Sequence, residues 1–102
     1  MSIVFPNGTV SKTTFWEDFS IADMFGIPAI NDTYKRAFSE WKDNCEYLTE
    51  LVIVLNLKCW DHYGKGNIKI SQRYSDLYYK AHHYAQAHLK GKDAEYYFEM
   101  TD

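Results

Sequence analysis

Four histidines and two cysteines are the residues of this 102-residue chain best suited to chemistry. A helical metal pair needs ligands three or four positions apart on one face. The histidines lack that spacing: His82 and His83 are adjacent, His82 and His88 are six apart, and His62 stands well before them. On a helical wheel His88 falls with the apolar stripe of Tyr74, Leu77, Tyr78, Ala81, Ala85 and Leu89, while His82 and His83 point to its edge and far side. They read as core-margin and solvent histidines, so no metal site and no other cofactor is expected. Cys59 and His62, three apart on one helix, are the local candidates for nucleophilic catalysis. A reactive thiolate wants an electropositive, partly open setting, whereas Cys59 continues a buried stripe and reads as a small core residue.

Paired carboxylates for acid–base work do not stand out either. Glu17-Asp18, Asp43-Glu46 and Glu46-Glu50 read as helix-start or exposed charges. The sequence contains no phosphate-binding glycine loop, no C-x-x-C and no H-E-x-x-H. No enzymatic activity is expected from this set of residues.

The elements that must position these side chains are helical. Ile30, Tyr34, Ala37, Phe38, Trp41, Cys45, Leu48, Val52, Leu55 and Cys59 recur at the steps of a single helix face. Thr13 or Thr14 can cap a first helix over about 14–25, with Glu17 placed for a capping box, and Gly26 ends it. A second helix starts at Pro28 and runs to about Lys42. Asp43-Asn44 offers caps for a third, although the unbroken stripe also allows one long rod. A break is expected, because Asp43 and Asn44 are poor mid-helix residues. The third helix, about 45–63, is apolar over most of its circumference, from Leu48 through Val52-Ile53-Val54 to Leu57 and Trp60. A helix of that kind is the central one. Ser71 is the expected cap of a fourth, ending at Lys90 before Gly91. Asp93 caps a last short turn at Tyr96-Tyr97-Phe98, a segment that could instead pair as a strand with the N-terminal arm. Residues 1–13, with Ile3-Val4-Phe5 and Thr9-Val10 flanking Pro6-Asn7-Gly8, read as an arm or tight hairpin. The expected fold is therefore all-α: one domain, a compact four-helix arrangement in which the hydrophobic third helix, at about 45–63, is the central one, with 14–102 forming the helical core.

Composition narrows the function classes. The net charge of −3 argues against the basic footprint of duplex DNA binding. Residues 1–50 carry a balance of −4 and residues 51–102 one of +1, so the N-terminal half could face a basic protein surface. Cys45 and Cys59, 14 apart, would be about 21 Å apart on a continuous helix, beyond disulfide reach. They read as reduced thiols of a cytoplasmic protein. The start of the chain lacks signal-peptide features, and the apolar run Leu51–Leu55 is too short to span a bilayer, so no membrane partner is expected. What remains is surplus aromatic surface. Tyr79, His82 and His83 extend aromatic character beyond the core face of the fourth helix. Phe15, Trp16 and Phe19 on the first, with Tyr96, Tyr97 and Phe98, add rings that four short helices do not easily enclose. Trp16, Tyr79, His82, His83, Tyr96 and Tyr97 are the candidate partner-binding residues. The partner is expected to be a protein, either another protein or a second copy meeting through the fourth helix.

The segments F-W-E-D-F-S-I-A-D-M-F-G (15–26), A-I-N-D-T-Y-K-R-A-F-S-E-W-K (29–42) and Y-L-T-E-L-V-I-V-L-N (47–56) resemble small helical proteins carried by phages and conjugative elements of gut Gram-positive bacteria. The resemblance spans roughly residues 14–102 and carries no assigned catalytic or binding residues. It implies an accessory role in which a host or defence protein is occluded, as anti-CRISPR inhibitors do.

Overall fold

The structure is a computed structural model describing residues 4–6 and 8–101. Among the described residues it is all-α, with five helices in chain order: α1 Phe15–Phe25, α2 Ile27–Trp41, α3 Cys45–Gly64, α4 Ile68–His88 and α5 Lys92–Thr101. The central role of the third helix is realised. Leu48, Leu51, Val52, Val54 and Leu55 of α3 are buried, and α1, α2, α4 and α5 all pack against it. α4 lies along α3 as its main partner, and α1 folds back on α2 as a short hairpin.

The helix ends follow local chemistry, with several departures from expectation. The break before α3 is real, and Asn44 makes it: its side-chain oxygen accepts from the Tyr47 amide at 3.1 Å. α1 and α2 are separated by Gly26 alone, at φ 103° and ψ −173°, and Pro28 is the second residue of α2 rather than its first. The capping box at α1 does not form. Thr14 donates its hydroxyl to Asp18 at 3.0 Å, while the Phe15 amide donates to Thr13 Oγ1 at 3.2 Å. Ser71 is not a cap either. α4 begins four residues earlier, after Asn67, and the Ser71 hydroxyl is buried inside the bundle, donating to the Cys59 carbonyl at 2.8 Å. The C-terminal segment is a full helix, α5, which resolves the choice between helix and strand at Tyr96–Phe98.

In the N-terminal arm, Val4 and Val10 form an isolated antiparallel bridge, the Gly8 amide donates to the Phe5 carbonyl at 2.8 Å, and Phe5 enters the core. Ile3 and Asn7 of the expected hairpin lie outside the described residues. The arm is held by a residue read from sequence as an exposed charge. Glu50, buried on α3, accepts from Ser11 Oγ at 2.9 Å, from the Lys12 amide at 2.6 Å, and from both the amide and the hydroxyl of Thr13. A buried carboxylate requires such compensation, and the arm supplies it. Among the described residues no helix is long and apolar enough to cross a membrane.

Candidate interaction surface and the polar cluster beneath it

The C-terminal ends of α1 and α3 meet the start of α4 around one carboxylate. Asp23 accepts from Lys58 Nζ at 3.1 Å, from His62 Nε2 at 2.9 Å and from the Tyr74 hydroxyl. Lys58 also donates to Ser20 Oγ at 2.6 Å and lies 4.2 Å from the centre of the Trp16 ring. The His62 imidazole stacks on Tyr74 and, with the Asn67 amide nitrogen donating to its Nδ1 at 3.2 Å, carries its proton on Nε2 toward Asp23. Lys58 and His62 are buried. Burial, with the Asp23 contact second, pushes the Tyr74 hydroxyl far above its ordinary range, so it stays protonated and donates. One carboxylate thus balances a buried ammonium and fixes two rings. None of the larger cavities is lined by Asp23, His62 or Tyr74. The cluster is built to tie three helix ends together.

Sequence reasoning missed Asp23 and Lys58, although a signal existed for the latter. Continuing the buried row Leu48, Leu51, Leu55 by steps of three and four lands on Lys58 and His62. Trp60, counted with the apolar circumference, is out of that phase and 63% exposed. The Cys59–His62 pair is not assembled. The Cys59 thiol lies 3.5 Å from Ser71 Oγ, while His62 turns to Asp23. Both cysteines are free and half-buried; burial, with Asp93 nearby, raises the Cys45 thiol. Among the described residues no three His, Cys, Asp or Glu side chains cluster as metal ligands.

The fold brings four of the six candidate partner residues into one chain of neighbouring rings, Tyr79 beside His83, His83 beside His82 and His82 beside Tyr97, and leaves Trp16 and Tyr96 outside it. Tyr79 and His83 are exposed on α4. Trp16 and Tyr96 are half-buried, the former under Lys58. Tyr97 has no exposed surface and belongs to the core, as do Phe15 and Phe19. The Tyr97 hydroxyl donates to Nδ1 of half-buried His82, whose pKa is lowered by burial and then by His83, keeping the imidazole an acceptor. His88 is exposed, stacked on Tyr84 rather than placed in the stripe. Several other exposed apolar side chains gather where three helices end. Met24 (81%) ends α1, Trp60 (63%) and Tyr63 (60%) end α3 as an edge-to-face pair, and Ile68 (46%) starts α4. All four flank the Asp23 cluster that joins those three helix ends.

Comparison with known proteins yields no matching family model, no matching curated protein and no matching solved structure.

Proposed function

We propose that the chain is a non-enzymatic protein-interaction module that docks a protein partner through the end bearing Met24, Trp60, Tyr63 and Ile68. The observation that carries this reading is the exposure of Trp60 and Tyr63 on a helix whose other large apolar residues are buried or half-buried. Trp and Tyr concentrate binding energy when a partner buries them, and here the Asp23 cluster holds their helix end rigid, lowering the ordering cost of docking. The acidic balance of the N-terminal half and the resemblance to phage and conjugative-element proteins favour an occluding role. The target class would be a basic, nucleic-acid-processing host or defence complex.

The test is affinity capture at low salt with the natural chain and the Trp60→Ala/Tyr63→Ala double variant in parallel. The double variant is expected to hold the captured protein about thirty-fold more weakly, the loss that about 2 kcal/mol of anchor energy corresponds to. A Tyr79→Ala/His83→Ala variant is expected to retain it. Equal capture by the natural chain and the Trp60/Tyr63 variant, or no capture by the natural chain, overturns the reading. Tyr79 and Phe98, 54% and 48% exposed, favour a second reading in which the α4–α5 face is the docking site; loss confined to the Tyr79/His83 variant would select it.

A further inference from the structure

The α1/α2 hairpin carries a groove unrelated to the Trp60–Tyr63 end. It encloses about 320 Å³ between the two helices. Its α1 wall is Asp18, Ile21, Ala22 and Phe25; its α2 wall is Ala29, Asp32, Thr33 and Arg36. Each wall is an i, i+3, i+4, i+7 row, the spacing that presents one helix face to another helix.

α1 is apolar on two sides. Phe15, Phe19 and Ala22 face the core, while Ile21 and Phe25 remain 57% and 74% exposed. A helix greasy over that much of its circumference is normally covered on more than one side.

The groove is complementary to itself. Its α1 row offers two large apolar knobs, Ile21 and Phe25, and its α2 row offers a small-residue hole at Ala29 and Thr33. A twofold rotation lays the knobs of one copy over the holes of the other, as an isologous interface requires.

The charges obey the same symmetry. Of the three charged side chains in the groove, Asp18 already accepts from the Thr14 hydroxyl at 3.0 Å, whereas Asp32 and Arg36 are exposed, four apart on α2, and neither joins an ion pair among the described residues. A partner presenting a single sign of charge satisfies one of them and opposes the other. A second copy satisfies both, twice. We infer that the α1/α2 hairpin pairs with the same hairpin of a second copy, completing a four-helix seam through Ile21, Phe25 and reciprocal Asp32–Arg36 contacts.

Sedimentation equilibrium of the full chain over a wide concentration range tests this. A dimer is expected, and Phe25→Asp is expected to give monomer with unchanged helical circular dichroism, since Phe25 lies at the surface. Asp32→Arg and Arg36→Asp, each alone, are expected to weaken association at least about tenfold through facing like charges, and the Asp32→Arg/Arg36→Asp double variant to restore it. A natural chain that stays monomeric at the highest concentration overturns the inference. So does a dimer that survives Phe25→Asp, or a double variant no better than the singles. The proposed partner site is read separately, because none of these variants touches Met24, Trp60, Tyr63 or Ile68.

Discussion

Asp23 is the residue that fixes the end of α1 to α3 and α4, since its carboxylate serves Lys58, His62 and Tyr74 at once. Removing one partner of a buried charged pair leaves the other uncompensated, at a cost of about 3–5 kcal/mol. Asp23→Ala is therefore expected to lose about that much stability in urea unfolding followed by circular dichroism, because Lys58 stays buried without a carboxylate. The Asp23→Leu/Lys58→Met double variant is expected to lie closer to the natural chain, as apolar replacement of both charges removes the desolvation cost of each. A loss below about 1 kcal/mol for Asp23→Ala, the range of exposed pairs, would show that the cluster is solvated and not the staple described. Asp23 was not legible in the sequence. It sits one residue from Ala22 and Met24 with the look of a surface acid, and only the arrival of Lys58 from 35 residues away gives it a role. Glu50 is a parallel case, its buried setting being compensated by arm residues nearly 40 positions earlier.

The hinges between helices were better written into the chain, because they depend on neighbours in sequence. Asn44 and Gly26 are punctuation that local rules identify. Gly26 holds φ 103° and ψ −173°, a region that glycine alone occupies readily, so that α2 can begin one residue after α1 ends. A Cβ there would meet only Pro28 Cδ at 3.9 Å, an ordinary contact, so a side chain is penalised by the dihedral and not by crowding. Gly26→Ala is expected to destabilise by about 1–3 kcal/mol in thermal or urea unfolding. Gly64→Ala, in the last turn of α3 with ordinary helical φ and open space around it, is expected to be neutral or stabilising. Equal effects at the two positions would mean that the hairpin does not depend on the Gly26 conformation. Ser71 shows where local rules stop. Its type suits a helix start, but its hydroxyl is satisfied across the bundle by the Cys59 carbonyl, and Asn67 starts the helix instead.

At the scale of the whole molecule, the all-α class and the central α3 followed from periodicity, which is repeated over dozens of residues and survives local misreadings. The distribution of rings did not, because exposure depends on which helix covers which. Phe15, Phe19 and Tyr97 went inside, while Phe25, Trp60 and Tyr63 stayed out. Enclosing so many rings has a consequence for pH. Burial raises the Tyr34 hydroxyl to about 12 and pushes Tyr74 and Tyr97 higher still. Phenols of the unfolded chain titrate near 10, so the folded state holds these protons more tightly. Their contribution is complete below about pH 10 and is lost as pH climbs from there through about 12. Ultraviolet titration of the nine tyrosines alongside far-ultraviolet circular dichroism is expected to show Tyr34, Tyr74 and Tyr97 ionising only as the helix signal collapses. Tyr34→Phe removes one of the protons whose loss drives that collapse, so stability is expected to fall less steeply with alkaline pH in this variant. Complete ionisation of all nine tyrosines with the helices intact would mean that the three rings reach solvent without unfolding, and that the bundle is not closed around α3.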